Sequence, residues 1–318
     1  MPYLISTLFF FFAMLLFFRI ARQFGINDRP NERSSHQETT IRGGGMVFTL
    51  AVMVAFFLGE VQWPLFLAVI LVAVVSFVDD IRQLHQWPRF LAHFLAAFLI
   101  LYAIGMGDLP FWWAPLLFLF LIGWVNIFNF MDGINGITVL YALVSLWSFY
   151  LIPAMEHDRE LILLVGLSGL VFAFFNLRKK AITFAGDVGS IVMALLLGYL
   201  MLKAILLTQN PLYLVFFTVY ALDGLVTLAI RLRKGENIFQ PHRTHLYQYL
   251  VNEWGYGHQP VAVSYALIQL GINLFWIYGL GMDSFRWFPF LIFTGMALLV
   301  YGVVRWQVVQ KAPQGEKK

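Results

Sequence analysis

Three short acidic clusters stand at the ends of very hydrophobic stretches of this chain: Val78-Asp79-Asp80-Ile81, Asn126-Ile127-Phe128-Asn129-Phe130-Met131-Asp132-Gly133, and Ala185-Gly186-Asp187-Val188-Gly189-Ser190. A carboxylate beside hydrocarbon is costly and marks a functional site by default. Gathered at one membrane face, the three clusters would build one metal-dependent site. Asp79 and Asp80 close an apolar run, and adjacent residues on a helix diverge by about 100°. Unless the helix frays there, the pair divides its work, one carboxylate facing a metal and the other positioning a phosphate partner or a lysine; the plainer reading is that the two mark the water boundary. Asn126, Asn129 and Asp132 recur at i, i+3 and i+6, one face of a helix. Gly133 and Gly136 follow, so that backbone can approach a ligand closely. Gly186-Asp187 opens a further apolar run. A helix start of this kind binds phosphate through free N–H groups, or the aspartate simply caps it; both readings stand.

Two basic segments accompany the acids. His242-Arg243-Thr244-His245 offers two imidazoles and a guanidinium, groups that bind polyanions. With no Cys nearby, anion contact is the better reading of the His-x-x-His spacing. The segment Arg29-Pro30-Asn31-Glu32-Arg33-Ser34-Ser35-His36 leads to Arg42-Gly43-Gly44-Gly45. Three glycines entering an apolar run are poor helix formers and imply a backbone that bends or approaches a phosphate. Asp223 lies inside an apolar run, and either lines the cleft or neutralises a neighbour. His85, His93, His157 and His258 stand alone and are given no catalytic role.

The elements that must position these groups are membrane helices. Of 318 residues, 60% are hydrophobic and 12% charged, and the apolar runs are too long and too many for a water-soluble core. The net charge of +4 is read loop by loop and is no nucleic-acid signature. The absence of cysteine excludes disulfides, thiol catalysis and Cys-ligated zinc. The first run lacks a basic n-region and a small-residue cleavage site, so it reads as a retained helix. A window of about 20 residues predicts an all-α polytopic protein of about eleven spans, or ten. They are 3–22, 45–61, 63–79, 90–106, 109–128, 136–153, 161–176, 188–207, 212–231, 261–280 and 287–306, in a single domain over 1–318 with a polar tail from 307. With the amino terminus outside and the carboxyl terminus inside, only Arg159, Lys203 and Arg286 of the 21 Lys and Arg fall on the outer side. That bias fixes the orientation and puts all the acidic clusters and both basic segments on the inner face.

Taken in order, these motifs resemble the polyprenyl-phosphate N-acetylhexosamine-1-phosphate transferases (glycosyltransferase family 4 in older naming). The resemblance rests on Asp79-Asp80 with Leu84, Asn126 to Gly136, Gly186 to Ser190, and His242-Arg243-Thr244-His245, and so spans nearly the whole chain. The Arg33-Ser34-Ser35-His36 loop with Arg42-Gly43-Gly44-Gly45 looks most like the branch that initiates surface polysaccharides such as O-antigen. Asn135 stands where the peptidoglycan branch, phospho-N-acetylmuramoyl-pentapeptide transferase, has Asp. Arg178, Lys179 and Lys180 stand where relatives often have proline.

The resemblance implies transfer of a sugar 1-phosphate from a UDP-sugar to undecaprenyl phosphate, with release of UMP, in the bacterial inner membrane. It implies Mg²⁺, with Mn²⁺ as an alternative. Asn129 and Asp187 become metal ligands, and Asp79, Asp80 and Asp187 the catalytic acids. Asn126, Asp132, Asn135, Asn176, His242, Arg243, His245, Arg33, Ser34 and His36 become substrate contacts. Membrane lipid is the expected surrounding, no nucleic acid is expected, and a homodimer is left open. Two other classes compete: a proton-coupled transporter, for which Asp223 alone lies near mid-membrane, and an intramembrane aspartyl protease, whose acids would sit mid-span. The sugar donor is not legible.

Overall fold

Eleven apolar runs become eleven helices in the computed structural model of the chain, which describes residues 1–28, 39–82, 84–108, 110–237, 242–282 and 286–312. They are α1 (Pro2–Phe24), α2 (Met46–Phe57), α3 (Trp63–Ile81), α4 (Gln86–Ala103), α5 (Trp113–Phe130), α6 (Ile137–Tyr150), α7 (Arg159–Asn176), α8 (Gly186–Thr208) and α9 (Thr218–Arg233), then α11 (His258–Leu274) and α12 (Trp287–Gln310). A short helix, α10 (Leu246–Asn252), interrupts the polar stretch before α11. Pro64 and Pro211 sit in first turns, where a missing N–H costs least.

This is a multi-pass, all-α membrane protein. Seven elements are long and apolar enough to cross a bilayer: α1, α3, α5, α8, Pro211–Arg233, His258–Leu280 and α12. The α6–α7 pair, bent by 118°, adds an eighth if it acts as one broken span. The 12-residue α2 reaches only about 18 Å, against a hydrocarbon core of roughly 30 Å. Helices thus stand at all eleven expected positions, while length and composition alone support seven or eight crossings. The tail expected from residue 307 begins later, because α12 runs to Gln310.

α8 is the hub. It is apolar on every side, as a fully enclosed helix must be, and every residue from Val188 to Leu202 is buried. It packs on α2, α3, α5 and α6. Small residues let the neighbours close in: a Cβ on Gly198 would stand 2.7 Å from Leu121 Cδ1, and beside it Trp124 Nε1 donates to Ala194 O at 2.8 Å. α12 is as apolar but buries only Tyr301 and Arg305, which leaves its large side chains for lipid.

Two of the three glycines before α2 allow close approach within the protein itself. Thr40–Ile41 pairs with Asn27–Asp28 and lies along Thr183. Phe184 N–H donates to Ile41 O at 2.8 Å, and Gly44 N–H donates back to Phe184 O at 2.9 Å. A side chain at Gly44 would collide with Thr183, and one at Gly45 with the backbone of Gly189. The start of α2 is thereby pinned to the start of α8. A methyl on Gly189 would stand 2.6 Å from Gly45 Cα. Gly189→Ala is therefore expected to cost about 1–3 kcal/mol, read as a lowered thermal midpoint in detergent. Gly166→Ala in α7, with nothing within 4 Å of the added carbon, serves as the control and should be neutral or slightly stabilising. Equal losses from both would discount the contact.

Candidate active site

The carboxyl ends of α3, α5 and α7 and the amino ends of α4, α6, α8 and α11 meet at one face, and charge gathers there. The first amides of a helix have no partner within it, and those of α8 are supplied by another helix. Asp80 Oδ1 accepts from Asp187 N–H at 3.0 Å and Oδ2 from Val188 N–H at 3.1 Å. Arg42 Nε closes on Asp80 Oδ1 at 2.7 Å, and the Asp80 side chain is wholly buried. Gly186 makes this approach feasible: its φ is +69°, and a Cβ there would strike Asp80 Oδ2. Of the two readings of Gly186-Asp187, the geometry gives the cap, but Asp80 provides it.

α3 continues without fraying through Ile81, so Asp79 diverges from Asp80 as a helix requires. It accepts Leu84 N–H at 2.7 Å and pairs with Arg89 of α4 at 3.2 Å. Asp187 joins the two halves, Oδ1 lying 3.4 Å from Arg42 and Oδ2 3.3 Å from Arg89. These contacts are longer than the roughly 2.7–2.9 Å of a charge-assisted hydrogen bond, so Asp187 is held more loosely than Asp80. Across from it, Ser190 Oγ of α8 hydrogen-bonds Asn129 Oδ1 of α5.

A polar cavity of about 270 Å³ opens in front of this network. Asn129, Asp132 and Asn135 form one wall; Asn176, Phe184 and Asp187 form another; Arg42, Asp28, Gln248 and His258 complete it. The turn from α5 to α6 is tightly set. Gly136 takes φ +85° and donates its N–H to Asn176 Oδ1 at 2.7 Å, while Asn176 Nδ2 donates to Thr183 O at 2.8 Å. Asn135 Nδ2 donates to Arg178 O at 2.9 Å, and its N–H donates to His258 Nδ1 at 3.2 Å. Asp132 accepts the Thr138 hydroxyl. Burial pushes its carboxyl up to about 6, against the smaller opposing effect of that hydrogen bond.

Several expected residues stand elsewhere. α5 ends at Phe130, so the i, i+3, i+6 ladder breaks: Asn129 and Asp132 line the cavity, whereas Asn126 donates to Ile122 O in its own helix. Asp79 and Asp80 stand behind Asp187 rather than on the wall. His242, Arg243 and His245 also lie off the wall, and His245 is buried at the start of α10. Arg33, Ser34 and His36 fall outside the described residues. Reasoning from sequence missed Arg89, whose signal is a lone cation in the first turn of an apolar run, and His258, dismissed as isolated although it opens α11 facing the α5–α6 turn. Among the described residues, no group of three His, Asp or Glu stands close enough to cage a metal.

The sequence profile described as glycosyl transferase family 4 matches residues 62–205. Over that stretch the chain is similar to this family. The matched stretch carries Asp79, Asp80, Arg89, Asn129, Asp132, Asn135, Asn176 and Asp187, the greater part of the network and cavity. A relative from Bacillus subtilis (strain 168), named "Probable undecaprenyl-phosphate N-acetylglucosaminyl 1-phosphate transferase", is 25% identical over 266 residues, 76% of this chain and 74% of the relative. The chain is thus a multi-pass membrane protein similar to glycosyl-transferring enzymes.

Removing the Asp80 cap exposes the difference between the two adjacent acids. Asp80→Ala leaves two amides of α8 and the Arg42 guanidinium without their carboxylate, at a cost of about 1–2 kcal/mol for the cap alone. Asp79→Ala loses one amide contact and one ion pair, with Arg89 partly exposed. A thermal melt should rank Asp80→Ala clearly below Asp79→Ala, and the reverse order would refute the capping role.

Proposed function

We propose that this chain transfers a sugar 1-phosphate from a UDP-N-acetylhexosamine, or a 6-deoxy derivative, to undecaprenyl phosphate. UMP is released, and the reaction starts assembly of a cell-envelope polysaccharide such as O-antigen. The observation that carries the reading is the cavity itself: Asn129, Asp132 and Asp187 face Arg42 across a polar pocket at the ends of membrane helices, where a lipid phosphate and a water-borne nucleotide can meet. The bias of Lys and Arg supports a cytoplasmic site in the bacterial inner membrane, eleven crossings and an external amino terminus.

The oxygen donors on the wall, Asn129 Oδ1 and the Asp187 carboxylate, suit Mg²⁺ or Mn²⁺. The lack of a complete protein cage among the described residues agrees with an ion whose remaining ligands are water and substrate phosphates. Such an ion would offset the charge of the diphosphate. Arg42 and Arg89 add fixed positive charge beside it.

The phosphate of the lipid acceptor has a second pKa of about 6 and is largely dianionic at neutral pH, so it can attack without a base. Its oxygen bonds to the phosphorus bearing the sugar as the bond from that phosphorus to the bridging oxygen breaks, and UMP departs with that oxygen. Asp80 fits this direct route, because both its oxygens are committed to α8 and Arg42. Isolation of a sugar phosphate bound covalently to Asp79 or Asp80 would sink this part of the reading.

The decisive assay supplies purified protein, undecaprenyl phosphate and Mg²⁺ with a panel of UDP-sugars, and scores UMP. One or more donors should give UMP, EDTA should abolish it, and added Mg²⁺ or Mn²⁺ should restore it. Asn129→Ala should raise the metal concentration for half-maximal rate roughly tenfold. No UMP with any donor, or activity indifferent to EDTA, would count against the proposal.

A further inference from the structure

Behind the cavity wall lies a second polar centre. Asp223 of α9 is 0% exposed, and a buried carboxylate without partners would cost several kcal/mol, on the order given for ions in protein interiors. It is surrounded by donors from four helices: Thr227 Oγ1 at 3.3 Å, Leu246 N–H at 2.9 Å, Tyr265 Oη at 2.7 Å and Tyr301 Oη at 3.0 Å. Arg305 of α12 stands 3.7 Å away and also donates to Thr244 O at 2.7 Å. His245 Nδ1 lies 3.4 Å from Asp223 Oδ1. So enclosed, Asp223 has no path of its own to water and is a poor carrier for a proton-coupled transporter.

A chain of contacts leads outward from this carboxylate. His245 Nε2 is 3.1 Å from His242 Nε2, and His242 Nδ1 is 2.7 Å from an Arg231 terminal nitrogen. Arg231 is anchored in turn by Glu236 at 3.0 Å and Asn237 O at 2.7 Å. A guanidinium only donates, so His242 Nδ1 accepts and the proton of this imidazole is on Nε2. That N–H faces His245 Nε2, which must accept, leaving the His245 proton on Nδ1 towards Asp223. The Gln248 N–H at the start of α10 is also directed at the His245 side chain, which accepts it in a capping box. That N–H already reaches the His245 carbonyl oxygen at 3.1 Å, so the carboxylate decides the tautomer. The protons of Arg231 and His242 thus point inward to His245, whose Nδ1 faces the Asp223 carboxylate at 3.4 Å.

The chain abuts the site. The His242 ring meets Phe130, next to Asn129, with centroids 5.8 Å apart. Tyr247 Oη donates to Phe130 O at 3.0 Å, and the cavity residue Gln248 accepts His245 N–H at 3.1 Å. We propose that Asp223 is a positioning residue of the transferase, holding His245 as the Nδ1–H tautomer so that the His242–His245 pair stores a proton beside the cavity. When His242 turns from its partner, a hydronium ion from the solvent in the cavity protonates His245 Nε2 and leaves as water. Asp223 stabilises the resulting imidazolium, as a buried carboxylate does behind a catalytic imidazole. That cation offsets charge developing on the phosphate leaving group.

The kinetic part of this inference rests on the proposed activity; the tautomer part does not. The full-length protein, labelled with ¹⁵N-histidine and reconstituted in nanodiscs, has seven histidines, and His245→Gln assigns the signal of interest. His245 should show a protonated Nδ1 and a bare Nε2, and Asp223→Asn should erase that preference. In turnover, Asp223→Asn should lower kcat roughly 10- to 100-fold, as loss of a partner behind a functional imidazole does, with KM for the donor little changed. Asp223→Asn/His245→Gln should be no worse than His245→Gln alone, whereas Tyr265→Phe, which keeps the carboxylate, should stay close to the parent. A protonated Nε2 on His245, additive losses in the double variant, or full turnover by His245→Gln would overturn the inference. If the parent releases no UMP, the transferase reading falls, and the ¹⁵N pattern alone decides the relay. That pattern also decides if Asp223→Asn fails to fold.

Discussion

A helix that is buried on all sides still needs partners for its first amides, and here one carboxylate provides them. In water those N–H groups would be solvated; at the edge of a bilayer, inside a bundle, they would not. Asp80 takes two of them and accepts Arg42 as well. This single group therefore fixes the end of α3 to the start of α8 and draws in the strand before α2. The partial positive charge of the helix start favours the carboxylate, and Arg42 completes its neutralisation. Asp187, the next residue along, is oriented as a consequence: its N–H is held from behind, so its side chain projects between Arg42 and Arg89 towards the cavity.

The large features were legible because hydrocarbon imposes them. Long apolar runs predict the helices, and acids at their ends predict where polar chemistry gathers. Residues whose meaning depends on distant partners were not legible. Nothing near Asp80 announces that it caps a helix 107 residues later in the chain. Glycines 44 and 45 carry the signature of close approach, but sequence cannot say to what, and the approach is to Thr183 and Gly189. The amide ladder failed for a local reason: α5 stops at Phe130, and beyond a helix end the 3.6-residue period no longer keeps side chains on one face. His258 was unreadable because its partner, the Asn135 N–H, belongs to a turn 123 residues earlier.

The face divides into two polar centres built by different parts of the chain. The stretch matched by the family profile, 62–205, supplies α3 to α8 and most of the cavity wall. Residues from Asp223 onward supply a knot in which α9, α10, α11 and α12 share one carboxylate. The two centres touch at Gly133, where a Cβ would collide with the Tyr247 hydroxyl. That hydroxyl reaches Phe130 O at the end of α5. A glycine is needed at this point because the knot and the cavity wall are in direct contact, with no layer of side chains between them.

Charge counting then links the site's architecture to its chemistry. Among the described residues the network sets three acids, Asp79, Asp80 and Asp187, against two guanidiniums, Arg42 and Arg89. The distances are unequal. Asp80 is held at 2.7 Å by a guanidinium and capped by amides, while Asp187 has two contacts of 3.3 and 3.4 Å and lines the cavity. Asp187, the one acid of the three on the cavity wall, is thus the least tightly held. A polyanionic substrate would be repelled from such a wall unless a cation came with it. The tightly satisfied acids build the frame, and the loosely satisfied one faces the cavity.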